Sequence, residues 1–169
     1  MRQFKKILWN TVGKTMFRLT PHNAYRYRTR LLKLFGMKCG KRVRFRRNVS
    51  IDKPWNITAG DLAIFGDCAI VNASAPIRIG KRCVVSQYAM LMTKQGDCES
   101  KGNTNIVRSI HIEDDSWVAA DTLVLPGSHL EQGVVVGARS LVDGRLPSWS
   151  ICTGEPATKR TDRVLYGTS

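Results

Sequence analysis

The chain has 169 residues, enough for one domain with an appendage, and its 27 Lys or Arg against 13 Asp or Glu give a formal net charge of +14. No run approaches the ~20 apolar residues of a transmembrane helix, and basic residues interrupt the apolar N-terminal stretch, with no cleavage-like site after it, as a signal peptide would not allow. The five cysteines are odd in number, contain no C-x-x-C pair and show no zinc-finger spacing, so reduced thiols in the cytoplasm are expected.

Residues 1–36 read as a basic amphipathic helical segment. Phe4, Leu8, Val12, Met16 and Leu19 fall at helical spacing, and Pro21 ends that helix. A second helix is expected from Asn23 to Phe35, with Tyr27, Leu31, Leu34 and Phe35 on one side and Arg26, Arg28, Arg30 and Lys33 elsewhere. Asn23 is its N-cap candidate and Gly36 its stop. Residues 1–51 hold fifteen basic residues and no acid, so this region carries the whole excess charge. Such a segment suits an anionic membrane surface. It also suits a cap or subunit contact at the open end of whatever follows, and that is the favoured expectation. A nucleic-acid role is not expected, because no groove-reading motif accompanies the charge.

From residue 37 the pattern changes period. Ile112, Val118, Val124, Leu130, Val136 and Val142 recur every six residues, accompanied by Ser116, Thr122, Ser128, Val134 and Ser140. Neither a helix nor a half-buried strand writes a period of six; a short fixed repeat marks a solenoid. Upstream the register continues through Cys39, Phe45 and Ile51. It resumes at Ala59, Phe65 and Val71 after an insertion holding Pro54-Trp55-Asn56, and again at Ile79, Val85 and Leu91 after Ser74-Ala75-Pro76. Residues 92–109 have no register and read as an excursion loop. The expected architecture is an all-β solenoid, a parallel β-helix of about five to six coils over 37–157, with a C-terminal tail at 158–169.

Pro54-Trp55-Asn56, Ser86-Gln87, Trp117-Val118-Ala119-Ala120, Leu125-Pro126-Gly127, Gly137-Ala138-Arg139-Ser140 and the closing Pro147-Ser148-Trp149 with Gly154-Glu155-Pro156-Ala157 carry a resemblance over nearly the whole chain. The chain resembles the left-handed β-helix, hexapeptide-repeat acyltransferases, and within them the colanic-acid-biosynthesis O-acetyltransferases. The resemblance implies left-handed coiling, a homotrimer, and acetyl-CoA lying in a groove between prisms. It also implies transfer to a hydroxyl of a sugar or lipid-linked oligosaccharide acceptor in polysaccharide biosynthesis. Apart from the resemblance, the missing secretory signal and the basic segment lead to the expectation of a cytoplasmic protein peripheral at the inner membrane face, and no metal is expected because a third histidine in a matching repeat is lacking.

The same resemblance assigns residues. Trp117, Ala119, Ala120, Gly137 and Ala138 would line the pantetheine arm, and Lys159 and Arg160 would meet a CoA phosphate. Ser86 and Gln87 match the acceptor-side position, and Glu155 replaces an asparagine usual in the family. A loop histidine normally serves as general base, which an alcohol needs to attack a thioester near neutral pH. Here the run is Thr93-Lys94-Gln95-Gly96-Asp97, with Gly96 in the histidine's place. Asp97, Lys94 and His111 are the remaining candidates for a base. His111 and His129, one 18-residue coil apart, are expected to stack on one outer face about 5 Å apart. The alternative reading is a catalytically silent hexapeptide-repeat scaffold.

Overall fold

Three parallel sheets run the length of the chain and close into a triangular prism, as seen in a computed structural model that describes residues 2–100, 102 and 104–165. The first face stacks Lys38–Cys39, Ile57–Ala59, Ile77–Ile79, Ile110–Ile112, His129–Leu130 and Arg145–Leu146. The second face runs from Arg44–Phe45 to Ser150–Gly154, and the third from Ser50–Ile51 to Leu141–Val142. Each hexad makes one strand of two or three residues and one corner. At the corners the backbone enters the left-handed region at residues such as Arg42, Leu62, Arg82 and Asp115, none of them β-branched.

Coil length is not constant. Lys38 pairs with Thr58 and Thr58 with Arg78, so the first two coils have twenty residues and absorb the two insertions at their corners. Arg78 pairs with His111 across the excursion, and His111 with His129 in an unbroken coil of eighteen. Inside the prism the six aliphatics of the regular series are all buried, four of the five accompanying residues being Ser or Thr. Their hydroxyls bond the next coil: Ser116 to the Glu131 carbonyl at 3.1 Å, Thr122 to that of Gly137 at 3.2 Å, and Ser128 to that of Val142 at 3.0 Å. Small polar residues are therefore used inside because each has an acceptor one coil away. All five cysteines are free, and burial pushes the thiols of Cys39 and Cys83 up to about 11.

The excursion is an antiparallel hairpin, Lys94–Gly96 against Asn105–Val107, leaving the corner between the third and first faces. The chain after the last coil also keeps to the sheet. Ala157–Asp162 folds back antiparallel on Ser150–Gly154 and ends the second face.

The appendage is helical, but its faces differ from the sequence expectation. Arg2–Leu8 and Lys14–Arg18 are α-helical around a π-helical stretch Trp9–Gly13, and a second helix spans Tyr25–Leu34. Phe4, Leu8, Val12, Met16 and Leu19 are exposed; Trp9, Gly13 and Phe17 are the buried line. The two aromatics have more to gain. The Trp9 indole N–H donates to the Ile51 carbonyl at 2.9 Å and its ring lies 4.9 Å from Phe35, while Phe17 packs edge-on to Phe45. In the second helix Leu31, Leu32 and Phe35 are buried whereas Tyr27 and Leu34 face out. Ala24, not Asn23, holds the N-cap position, with no side-chain cap; Gly36 does end the helix, at φ +95°.

Arg28 is fully buried. Its guanidinium donates to the carbonyls of Phe45 (2.7 Å), Pro21 (2.9 Å) and His22 (2.8 Å) and to the Thr20 hydroxyl (2.6 Å). Thr29 donates to the Val43 carbonyl at 3.0 Å. With Trp9, these side chains satisfy carbonyls of the first coil, an edge that would otherwise stand open. The segment is a cap. Among the described residues no helix is long and apolar enough to cross a membrane.

Candidate active site

The corner between the second and third faces carries most of the residues singled out. Ser86 N donates to the Val118 carbonyl, Ala119 N to that of Val136 and Gly137 N to that of Cys152. Gly66, Ser86, Ala119 and Gly137 therefore stack in one line, a coil apart, at roughly 4.8 Å per step. Backbone packing demands small residues here. A Cβ on Gly66 would fall 2.5 Å from the Gln87 nitrogen, and one on Gly137 would fall 2.5 Å from the Thr153 methyl. Ala119 and Ala120 are half-buried on the corner and Ala138 is exposed beside it.

At one end of this line the Trp117 indole N–H donates to the Ser86 hydroxyl at 2.8 Å. Trp117 is 46% exposed, so a large apolar ring stands in solvent beside a fixed hydroxyl. At the other end Thr153 follows Gly137, and Arg160 Nε donates to the Thr153 hydroxyl at 3.1 Å. Lys159 is less available, because its ammonium pairs with Asp162 at 2.6 Å. Glu155 is exposed at the adjoining turn.

Ser86 and Gln87 open on a cleft of about 600 Å³ that also receives His22, Arg46, Gly66 and Asp67. Sequence reasoning missed His22 and Arg46 as neighbours of Ser86, since nothing in the hexad register ties the appendage to this corner. The Arg46 guanidinium donates to the Tyr25 hydroxyl at 2.8 Å and also contacts the Nε2 of His22. That nitrogen is therefore already engaged within the cleft wall. His22 forms a wall of the cleft, not a free base.

The three base candidates lie elsewhere. Asp97 sits in the hairpin turn, where one carboxylate oxygen accepts from Glu99 N at 3.1 Å and the other from the Thr104 hydroxyl at 3.3 Å. Its geometry is that of a turn cap, and a carboxylate is in any case too weak a base for an alcohol. Lys94 is exposed on the hairpin. Gly96 has open space around it, with no heavy atom within 4 Å of an added Cβ. His111 lies half-buried on the first face, its Nε2 3.2 Å from the Ser109 hydroxyl and its ring 5.9 Å from that of His129, in direct register. Burial above all, then Arg78 and His129, holds its pKa below the ordinary imidazole value, so the ring is neutral near pH 7. His129 donates to Glu113 at 2.7 Å. Within one chain His111 and Ser86 stand on different faces. Among the described residues no group of three or more His, Cys, Asp or Glu is placed to hold a metal ion.

A β-helix with hairpin, helical cap and a Trp-Ser corner defines a class, and comparison with known proteins agrees with it. The maltose O-acetyltransferase of Clostridium difficile superposes with a TM-score of 0.86 over 96% of this chain and 88% of its own, at 20% identity. A galactoside acetyltransferase solved with coenzyme A gives 0.83 over 95% and 81%, at 19% identity. The fold is thus the left-handed β-helix of the hexapeptide-repeat acetyltransferases, an exception to right-handed crossover. No protein-family model matches the chain. The colanic acid biosynthesis acetyltransferase WcaF of Escherichia coli is 41% identical over 157 residues, which are 93% of this chain and 86% of that one. The chain belongs to the WcaF family of hexapeptide-repeat acetyltransferases.

Proposed function

We propose that the protein is an acetyl-CoA-dependent O-acetyltransferase acting on a sugar hydroxyl during surface or exopolysaccharide biosynthesis, working as a homotrimer. One observation carries this reading: Ser86, Ala119, Gly137, Thr153 and Arg160 form a continuous corner, with the Trp117–Ser86 pair at one end and a cation at the other. Its length, three coil steps and one further strand spacing to the return strand, is roughly 19 Å. An extended thioester arm fits against such small residues, with its phosphates toward Arg160 and its acyl carbon near Ser86. The relative named for colanic acid biosynthesis and the sugar acetyltransferases of the same fold point to the acceptor class. Several polar groups in the Ser86–Gln87 cleft, including Asp67 and Arg46, suit a hydroxyl-rich ligand.

In the reaction an acceptor hydroxyl attacks the thioester carbonyl, the C–S bond breaks, and the hydroxyl proton passes through the base to the departing thiolate. Gly96 stands where the family carries its histidine, so the base lies elsewhere. His111 is assigned that role over Asp97 and Lys94, since its imidazole is neutral at physiological pH and Asp97 is committed to its turn. Its separation from Ser86 in one chain makes a neighbouring subunit part of the site, which is why the trimer belongs to the proposal. The basic N-terminal region would hold the enzyme peripherally at the anionic inner membrane face, where lipid-linked acceptors are presented.

The test is CoA release from acetyl-CoA with a panel of sugar acceptors, together with light scattering. Acceptor-dependent release by a trimer is expected. A monomer at micromolar concentration, or binding of acetyl-CoA with no turnover on any acceptor, would sink the reading.

A further inference from the structure

The N-terminal helix has two apolar faces, and only one of them is used. Trp9, Gly13 and Phe17 pack on the first coil, whereas Phe4, Ile7, Leu8, Val12, Met16 and Leu19 form a second, longer line in solvent, from 39% exposed at Leu8 to 80% at Leu19. A surface helix of a soluble protein ordinarily carries polar residues on its outer side. The line does not end with the helix. Met16 and Leu19 border an apolar cleft of about 440 Å³ whose far wall is Pro21 and Tyr27, so the patch continues onto the second helix.

Beside Tyr27 on that second helix begins a different surface. Arg26, Arg30 and Lys33, with Lys41 and Arg42 from the first coil, line a cavity of about 850 Å³. Its single carboxylate, Asp61, already accepts from the Lys41 backbone nitrogen at 2.6 Å. Five cations thus face a common space that holds one carboxylate, so positive charge prevails there. Through residue 51 the chain contains no acid at all.

An apolar line half a helix wide, bordered by a basic cavity, matches the two layers of an anionic bilayer surface, acyl boundary and phosphate headgroup. We propose that the appendage is an interfacial docking face: the outer line from Phe4 to Leu19 inserts at the acyl boundary, and the Arg26–Arg42 cavity takes the phosphate of an anionic lipid. This rests on the reading that the segment meets a membrane and adds to it the mode of attachment, insertion as well as attraction. It also explains why Phe4 and Leu19 are left uncovered by a cap whose structural work is done by Trp9, Phe17 and Arg28.

The experiment is co-flotation of the full-length protein with phosphatidylcholine vesicles, alone or mixed with phosphatidylglycerol, at low and high salt. The triple variant Leu8→Ser, Val12→Ser, Met16→Ser is compared with Arg26→Gln, Arg30→Gln, Lys33→Gln. All six side chains are exposed or lie outside the core, so both variants keep the fold. Wild type is expected to float with mixed vesicles and to retain part of that binding at high salt. The serine variant is expected to lose about tenfold or more in partition at any salt, and the glutamine variant about fivefold per cation, on mixed vesicles only. Absence of wild-type flotation on both vesicle types would remove the membrane reading as a whole. Salt-sensitive flotation that the serine variant leaves unchanged would overturn insertion while sparing attraction. If the serine variant changes oligomeric state in light scattering, the line is a contact between copies of this chain and the proposal fails.

Discussion

Trp117 and Ser86 are 31 residues apart in the chain and 2.8 Å apart in space, indole N–H to hydroxyl oxygen. They meet because Trp117 pairs in parallel register with Val84, and the excursion hairpin only lengthens the coil between them. The bond occupies one lone pair of Ser86 and leaves its proton free to be donated. A ligand in the cleft thus meets a hydroxyl whose oxygen is held in place. Ser86→Ala is expected to lower kcat/KM for the acceptor about tenfold with acetyl-CoA affinity unchanged. Stability should fall by no more than ~1 kcal/mol, because the pair is solvent-accessible. Initial rates at varied acceptor concentration, with calorimetric binding of acetyl-CoA, check both parts. An unaltered kcat/KM would remove Ser86 from the acceptor site.

The space around Gly96 is empty, with no heavy atom within 4 Å of an added Cβ. Its backbone is not in the left-handed region, so a side chain costs no strain there. Gly96→His is therefore expected to leave the melting temperature unchanged and to raise acetyl transfer. With His111 already acting the gain is expected to be modest, and in the His111→Ala background its ceiling is the ~10²–10⁴-fold of a well-placed general base. A misplacement of about 1 Å would forfeit most of it. Single-turnover rates separate chemistry from product release. A rate no higher than wild type would show that the hairpin no longer reaches the acceptor.

The pH profile bears on His111. Its pKa lies below the ordinary imidazole value of ~6.5, mainly through burial, so it stays neutral to a lower pH than a free histidine. The acid limb of kcat/KM is then expected below that value, and His111→Ala is expected to abolish the limb and most of the activity without changing the oligomeric state. Stability follows the same sign. The unfolded chain binds the proton more readily, so the contribution is complete above the unfolded value and is lost as pH falls through the folded one. His129→Ala removes one of the lesser influences that hold His111 down, after burial and Arg78, and is expected to move the limb slightly upward in pH. An acid limb that both variants leave in place would assign the base to another group.

The solenoid was legible because its core repeats at a period nothing else uses. Ile112 to Val142 lie inside as read, and the interruptions at Pro54 and Ser74 are the extra residues of twenty-residue coils. The register also placed His111 opposite His129. The first helix was misjudged because two apolar stripes compete on it, and hydrophobicity alone selects the longer. The shorter one is marked by Gly13 between Trp9 and Phe17, where a glycine makes room for an indole. Periodicity sets Arg28 with Arg26, Arg30 and Lys33 off the apolar side, since no sequence pattern distinguishes an arginine that feeds carbonyls. The cleft formed by His22 and Ser86 depends on how the cap docks, which lies beyond any periodicity.

Arg28 offers the sharpest test of the cap. Its partners are oxygens of Phe45, Thr20, Pro21 and His22, so one side chain ties the inter-helix turn to the first coil. Arg28→Met keeps much of the apolar stem and removes every donor. At least three carbonyls then lose a partner in a dry site, each worth ~1–3 kcal/mol, and the sum after relaxation is expected near 3–5 kcal/mol. Arg28→Lys restores the charge but not the fork and is expected to recover only a small part. Denaturant unfolding followed by backbone amide NMR signals reads both parts, those of Tyr25–Leu34 reporting the cap and those of the strands Leu123–Val124 and Leu141–Val142 the solenoid. If the helix separates first, the two transitions will split in Arg28→Met and coincide in wild type. A loss below ~1 kcal/mol with coincident transitions would mean that Trp9 and Phe17 hold the cap without Arg28.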